Sequence, residues 1–116
     1  MTAAGGKYRV VMVTCVSMDE ARRIGRGVVE KRLAACINIL PSVESFYRWK
    51  GKVERNYEVL AVIKTTTARL RELEKEVKNL HSHEVPEFLV LPVVAGSQDY
   101  LKWIAESTTA IVQGHK

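Results

Sequence analysis

The chain has 116 residues and a formal net charge of +5, and 47% of its residues are hydrophobic. This length suits a single domain, and the share of hydrophobic residues excludes an intrinsically disordered chain. No apolar run approaches the roughly 20 residues of a membrane-spanning helix, and no signal-peptide pattern is present. We therefore expect a cytoplasmic protein without membrane insertion. Acidic residues interrupt the basic ones, which predicts a mixed solvated surface rather than a nucleic-acid partner.

Residues 1–7 are predicted to form a flexible N-terminal lead, and residues 8–116 a single domain. The predicted elements in chain order are a strand over 8–16, a helix from Asp19 to about Leu33, a strand over 35–40 that resumes over 42–49, a strand over 56–65, a helix over 68–80, a strand over 87–94 and a short helix over 99–107. The order β-α-β-β-α-β plus a terminal helix predicts an α+β, ferredoxin-like antiparallel sheet. Right-handed crossovers place the first strand beside the fourth, with the third between the first and second.

Capping and turn residues define the predicted boundaries. Ser17 followed by Glu20 is a capping-box pattern, in which the hydroxyl accepts from the Glu20 amide while the carboxylate reaches back. Thr67 is predicted to cap the second helix. Pro41 cannot donate to a ladder and marks a bulge or an edge, and Gly51 is free to take the positive φ of a tight turn.

Gly25 and Gly27 lie inside the first predicted helix. Each weakens a helix by about 1 kcal/mol relative to alanine. They are either tolerated surface positions or points of close packing between the helix and the sheet.

Both faces of the predicted sheet are apolar, since alternating positions along three strands are hydrophobic on either side. An antiparallel sheet with one face in water normally carries polar residues on that face. Either subunits associate through the second face or the terminal helix folds across it. We expect self-association, because large apolar patches usually mark interfaces.

The stretch HSHEVPEF, residues 81–88, concentrates residue types that bind metals or perform catalysis. Antiparallel pairing brings the end of the first strand beside the start of the fourth, so Cys15 is expected near this stretch. The groups that share this end of the sheet are those of Cys15, His81, His83, Glu84 and Glu87. Thiolate, imidazole and carboxylate together suit copper or zinc. The same residues also allow a polar joint between helix and strand, or a Cys–His nucleophilic enzyme.

The second cysteine, Cys36, lies on the second predicted strand. Two strand spacings put it roughly 9–10 Å from Cys15, beyond the reach of a disulfide. We expect both thiols to be reduced.

Four stretches resemble one known family in combination: VTC before the first helix, VVEKRLAACINILPSVESFYRWKGKVE, EVLAVIKT and HSHEVPEFLVLPVVAGSQDYLKWI. Over about residues 10–104 the chain resembles the CutA family of divalent-cation tolerance proteins. The resemblance implies a ferredoxin-like subunit, a tightly packed homotrimer and a link to copper and other divalent metal ions. We expect no enzymatic activity.

The resemblance also matches individual residues of this chain to positions in the family. Cys15 matches a cysteine implicated in copper binding in some members, His81 matches the histidine of the usual HPYE segment, and Glu87 matches the glutamate after the proline. These three are the metal ligands that the resemblance implies. Tyr47 and Trp49 match aromatic residues near subunit contacts.

The chain departs from the family pattern at three positions. HSH replaces HPY, so Ser82 stands in place of a proline and His83 is a further candidate ligand, while Leu80 stands where some copper-linked members have another histidine. The sequence predicts a homotrimer of metal-ion response that binds copper or a similar divalent ion through Cys15 and His81, assisted by Glu87 or His83. One alternative is a trimeric signalling or scaffold protein that binds a small effector or a partner at subunit clefts. Another is an acylphosphatase-like hydrolase, whose arginine-bearing loop after the first strand is not evident.

Overall fold

The computed structural model describes residues 2–110, and residues 111–116 of the predicted domain lie outside that range. In chain order the elements are β1 (Thr2–Ala3), β2 (Tyr8–Cys15), α1 (Met18–Glu30), β3 (Cys36–Trp49), β4 (Lys52–Thr66), a 3₁₀ turn (Thr67–Arg69), α2 (Leu70–Leu80), β5 (Leu89–Pro92), β6 (Ala95–Gly96) and α3 (Gln98–Ser107). The main sheet has the order β3-β4-β2-β5, and all of its pairs are antiparallel. This is the strand order predicted above for the four main strands.

The core lies between one face of this sheet and the helices α1 and α2. Side chains at alternating positions of β2 and β4 meet the apolar stripes of both helices. The largest fully buried side chains are Ile24, Ile63, Leu73, Val11, Val13, Val28, Val77, Thr65 and Cys15. Each fully buried aliphatic side chain contributes about 1.5–3 kcal/mol to stability. Ala21, Ile24 and Val28 of α1 and Leu73 and Val77 of α2 are the helical side chains buried in this core.

The helix α1 begins as predicted but ends early. Ser17 is its N-cap, and the Ser17 Oγ accepts from the Glu20 N–H at 3.1 Å. The helix was expected to reach Leu33 and ends at Glu30, because Arg32 takes a left-handed conformation with φ of 59°. The N–H groups of Leu33 and Ala34 then both donate to the Val28 carbonyl, which closes the helix end.

The two glycines of α1 mark close packing. A Cβ on Gly25 would lie 2.8 Å from Cγ2 of Ile37 on β3, and a Cβ on Gly27 would lie 3.1 Å from Cδ1 of Leu80 on α2. The close helix–sheet packing that the sequence left open is observed at Gly25, whereas Gly27 packs closely against the helix α2 instead.

The strands β3 and β4 form one long hairpin, in which β3 joins the two predicted pieces and β4 begins at Lys52, four residues before the predicted start. Pro41 was predicted to mark a bulge or an edge: the register shifts between Leu40 and Val43, β3 is the edge strand, and pairing then continues to the turn. At the turn Lys50 and Gly51 have φ of 50° and 80°, the pattern of a two-residue turn that matches the twist of paired strands. The Cα radius of gyration is 15.5 Å, against roughly 13 Å for a compact chain of this size. The hairpin therefore projects from the body.

Three smaller expectations are corrected. Thr67 does not cap the second helix: residues Thr67–Arg69 form a 3₁₀ turn with no side-chain cap, and α2 follows it. The fourth strand was expected over 87–94 and spans only Leu89–Pro92, because the chain then leaves the main sheet to form β6. Within the predicted lead, β1 pairs with β6; the flexibility of residues 1–7 stays a prediction.

The second face of the sheet is apolar, and no part of residues 2–110 covers it. The strand register places these side chains on it: Val10, Met12, Leu40, Leu60, Val62, Leu89 and Leu91. None of them is fully buried, and Leu89 is 59% exposed. The helix α3 packs against β4 near its end, where the hydroxyls of Thr108 and Thr66 are 3.3 Å apart. The terminal helix therefore does not bury this face.

Candidate metal site

Three side chains with metal-binding atoms meet at one end of the sheet. They are Cys15 at the end of β2, Glu20 in the first turn of α1, and His81 just after α2. The Cys15 thiol, a Glu20 carboxylate oxygen and a His81 ring nitrogen lie within 4.8 Å of one another, and all three residues are buried. The predicted proximity of Cys15 to the 81–87 segment is thus confirmed for His81.

Local structure explains why these residues converge. The chain turns from β2 into α1 within two residues, which brings the first helical turn back over the strand end. His81 is the C-cap of α2 with an extended ψ of 146°, so the chain turns out of the helix there. Its ring reaches back to the end of β2, where Nε2 lies 2.8 Å from the Thr14 carbonyl.

Glu20 connects the two chain segments that form the site. Its Oε2 accepts from the Val16 N–H at 3.2 Å, and its Oε1 accepts from the Ser82 N–H at 3.0 Å. Burial disfavours the charged carboxylate, but hydrogen bonds from Ser82 and Val16 and the nearby His81 outweigh it and lower the pKa of Glu20 below its ordinary value. The carboxylate is therefore ionised at neutral pH and holds both backbone segments.

Both ring nitrogens of His81 are already engaged. The His83 N–H donates to Nδ1 at 3.0 Å, so Nδ1 acts as an acceptor and the proton of the neutral ring resides on Nε2. The Nε2–H then donates to the Thr14 carbonyl, with Glu20 Oε2 at 3.3 Å as a second neighbour. Within residues 2–110, no buried side-chain nitrogen or oxygen lacks a hydrogen-bond partner.

The Cys15 thiol is held in its neutral form. Burial, and then the negative charges of Glu20 and Glu58, raise its pKa from 9.0 to about 11. A thiol of this kind is neither a ready nucleophile nor a preformed thiolate ligand. These properties give no support to the Cys–His nucleophilic reading.

The third ligand implied by the resemblance, Glu87, is not part of this trio. Its side chain is exposed, and partial burial together with Glu58 raises the pKa of its carboxyl group. The structure instead brings Glu20 to Cys15 and His81. Sequence reasoning treated Glu20 only as a helix cap and did not consider Glu58, although Glu58 precedes Val59, the residue paired with Cys15. The capping pattern next to the strand end was the signal that placed Glu20 near Cys15.

The remaining predicted residues lie around the site or far from it. His83 and Glu84 are exposed, and the His83 ring centroid is 5.2 Å from that of His81. Cys36 is free and half-buried, and so is not bonded to Cys15. Tyr47 and Trp49 lie on the projecting part of the hairpin, both exposed.

The donor set fits a thiophilic metal ion in its chemistry. One sulfur, one carboxylate oxygen and one imidazole nitrogen are a combination used by zinc and copper sites. The hydrogen bonds of the trio add a condition. For these residues to hold a metal ion, Cys15 has to lose its proton, and His81 has to release His83 if it binds through Nδ1, or both Thr14 and His83 if it binds through Nε2.

Comparison with known proteins places the chain in a family. Residues 9–107 match the family model described as CutA1 divalent ion tolerance protein. The chain belongs to the CutA1 family of divalent ion tolerance proteins. The resemblance noted in the sequence is therefore confirmed.

Individual relatives agree with this assignment. The divalent-cation tolerance protein CutA of Thermus thermophilus is 46% identical over 99 residues, which cover 85% of this chain and 96% of that protein. The solved structure of Cut A1 from the same organism superimposes with a TM-score of 0.86 at 44% identity, over 88% of this chain and 99% of that one. The solved structure of CutA1 from Oryza sativa gives a TM-score of 0.86 at 37% identity, over 92% of this chain and 98% of that one.

Animal relatives are longer. Human protein CutA is 42% identical over 106 residues, which cover 91% of this chain and 59% of that protein. This chain therefore spans about three fifths of the human relative's length.

Among residues 2–110, no helix is both long enough and apolar enough to cross a membrane.

Proposed function

We propose that this CutA1 family member is a cytoplasmic homotrimer that acts in the response to divalent metal ions and binds copper or a similar ion, without enzymatic activity. The metal site that we propose is the trio Cys15, Glu20 and His81. The observation that carries this proposal is the convergence of a thiol, a carboxylate and an imidazole within 4.8 Å at one buried point.

Each residue of the trio has a distinct role in this proposal. Cys15 supplies the soft sulfur that favours copper or zinc over magnesium or calcium. Glu20 is already ionised and balances the positive charge of the ion. His81 binds through a ring nitrogen; when this is Nδ1, the Nε2–H keeps its hydrogen bond to the Thr14 carbonyl, which fixes the orientation of the ring. Glu87 is proposed as an outer carboxylate near the trio rather than as a direct ligand.

Two surfaces support the homotrimer. The first is the uncovered apolar face of the sheet, which a ferredoxin-like subunit with helices on one side leaves open. The second is the projecting hairpin, where Phe46 is 67% and Trp49 is 60% exposed. Exposed apolar surface of this extent is characteristic of protein interfaces. Light scattering at micromolar concentration tests the assembly, and a mass of one subunit would contradict it.

A metal titration tests the site. Cu²⁺ and Zn²⁺ are titrated against a competing chelator in the wild type, Cys15→Ser, His81→Ala and Glu20→Gln, with Glu87→Gln as the matched carboxylate control. We expect one ion per subunit in the wild type and at least tenfold weaker binding in the first two variants, since each removes a ligand atom. Equal affinity in wild type and in the Cys15→Ser/His81→Ala double variant would contradict the assignment. A loss in Glu87→Gln but not in Glu20→Gln would move the carboxylate ligand to Glu87.

The second candidate function is a trimeric signalling or scaffold protein in which metal binding is incidental. The observation that favours it is that both carboxylate oxygens of Glu20 and both ring nitrogens of His81 already have hydrogen-bond partners within the chain. Native mass spectrometry of metal-free protein distinguishes the two. A retained small molecule at stoichiometric level favours the scaffold, and its absence together with stoichiometric metal binding favours the metal protein.

A further inference from the structure

The segment from His81 to His83, called here the HSH segment, is attached to the trio mainly through its backbone. The Ser82 N–H donates to Glu20 Oε1 at 3.0 Å, and the His83 N–H donates to His81 Nδ1 at 3.0 Å. Ser82 and His83 are themselves exposed. Two exposed residues therefore contribute two backbone donors to buried acceptors.

We propose that the HSH segment is the gate of the trio, and that Ser82 and His83 are positioning residues which set the access and affinity of the site through their N–H groups. This inference rests on the proposed metal function for its ligand, but its central claim concerns the chain alone. The claim is that opening of this segment is what exposes Cys15, Glu20 and His81.

The burial of the three side chains supports the gate. The side chains of His81 and Glu20 are 0% and 3% exposed, so no ion reaches them in the closed state. The His81 ring is also one of the groups packed beside the Cys15 thiol. Withdrawal of His81 with its segment therefore removes one of the groups that cover the Cys15 thiol, whereas the strand ends and α1 can remain in place.

The ring of His81 makes the gate and metal binding mutually dependent. Nε2 carries the proton that Thr14 accepts, and Nδ1 accepts the His83 N–H. A nitrogen lone pair cannot serve a metal ion while it accepts a hydrogen bond, and a protonated nitrogen has no free lone pair. Binding through Nδ1 therefore ends the contact with His83, and binding through Nε2 ends both contacts, because the ring proton then has to move to Nδ1.

Ser82 offers a matched pair of variants. Proline at this position removes the N–H that Glu20 accepts, whereas alanine keeps it. His81 has φ of −84° and ψ of 146°, which is the conformation that a residue before proline prefers. Ser82→Pro therefore tests the hydrogen bond without forcing the preceding residue, and Ser82→Ala controls for loss of the hydroxyl.

The first experiment needs no metal. Alkylation of Cys15 by iodoacetamide is followed in a Cys36→Ser background with EDTA, so that the other thiol does not contribute. We expect Ser82→Pro to react about tenfold faster than Ser82→Ala, because a hydrogen bond to a charged group is worth at least one factor of ten in the opening equilibrium. Equal rates in the two variants would overturn the gate, whatever the metal titration shows.

The second experiment uses the wild type, so it does not depend on the folding of a variant. Amide exchange is followed by NMR with and without saturating Zn²⁺, which is diamagnetic. The Ser82 and His83 amides are expected to be protected in the metal-free protein, and at least one of them is expected to lose protection about tenfold or more when Zn²⁺ binds. Unprotected amides in the metal-free protein overturn the gate, and unchanged protection with Zn²⁺ bound overturns its coupling to metal.

The two proposals fail separately. If Ser82→Pro accelerates alkylation but neither Cu²⁺ nor Zn²⁺ binds to any form, the gate stands and the metal function falls. If both hold, Ser82→Pro binds Zn²⁺ about tenfold more tightly than Ser82→Ala, because the open state is populated before the ion arrives.

Discussion

The Cys15 thiol makes a quantitative prediction about alkaline stability. Its pKa is raised from 9.0 to about 11 in the fold by burial and by the charges of Glu20 and Glu58. The unfolded chain loses this proton at lower pH than the folded chain does, so stability is full below pH 9 and declines as the pH rises toward 11. Two pKa units correspond to about 2.7 kcal/mol at the limit, of which about 2 kcal/mol is lost between pH 8 and 10.5.

The assay compares urea unfolding of metal-free wild type and Cys15→Ala at equal protein concentration between pH 8 and 10.5. Lysines and tyrosines titrate in both proteins, so only the difference in slope belongs to Cys15. Cys15→Ala is expected to be less stable at pH 8 because of the lost sulfur contacts, and to approach the wild type by about 2 kcal/mol at pH 10.5. Cys36→Ser serves as the thiol control and should follow the wild type. Parallel curves for wild type and Cys15→Ala would refute the reasoning.

Three further predictions concern residues around the site and in the core. Glu20→Gln should lower the free energy of unfolding by about 1–3 kcal/mol at pH 7. It should also flatten the loss of stability at acid pH, because the lowered pKa of Glu20 stabilises the fold at neutral pH and this contribution disappears as the pH falls. Denaturant unfolding from pH 7 to 3 measures both effects, and an unchanged acid slope would contradict the second. Gly25→Ala should lower the free energy of unfolding by about 1–2 kcal/mol, because its Cβ would meet the stiff branch of Ile37 at 2.8 Å. Gly27→Ala should lower it less, because its Cβ would meet the flexible end of Leu80. The opposite ranking in thermal melts would contradict the packing argument. Arg32→Lys should increase amide exchange at the end of α3, since the Arg32 guanidinium donates to the Glu106 and Thr109 carbonyls; unchanged exchange there would mean that these contacts do not hold the helix.

The strand order was predictable because each main strand has a distinct apolar pattern and the connections leave little choice. Two helices between strands at those positions allow one arrangement with right-handed crossovers. The boundaries were less predictable. Arg32 has no sequence feature of a left-handed residue, so the early end of α1 follows from the packing of the next residues. The start of β4 was missed because residues 52–55 (KVER) carry three charged side chains, and only their pairing with β3 makes them extended.

The proximity of Cys15 to His81 could be predicted from the sequence, but the participation of Glu20 could not. Antiparallel pairing brought Cys15 to the 81–87 segment, which requires only the order of strands. Glu20 was assigned to a local role because Ser17 and Glu20 have the capping spacing, and that role is also real: the Ser17 hydroxyl accepts from the Glu20 amide. Its carboxylate, however, reaches Val16 and Ser82, and Ser82 is 62 residues away along the chain. The capping spacing places Glu20 beside the end of β2, but a contact with a residue 62 positions away cannot be recognised from it.

The burial and hydrogen bonds of the trio could not be read from the sequence, and they bear directly on whether the trio binds a metal ion. Thiol, imidazole and carboxylate in one place suggest metal binding by their chemistry, but each of them is stabilised in a form that suits the metal-free fold. The neutral Cys15 thiol avoids a second negative charge beside Glu20, and the single proton of His81 matches the one donor and one acceptor around its ring. Removing a hydrogen bond that holds the HSH segment closed, while keeping the ligand atoms, destabilises the closed state and at the same time favours metal binding, because an ion competes with the same protons and hydrogen bonds. Stability of the metal-free protein and affinity for metal are therefore expected to change in opposite directions in variants of Ser82, which alter the closure but not the ligands.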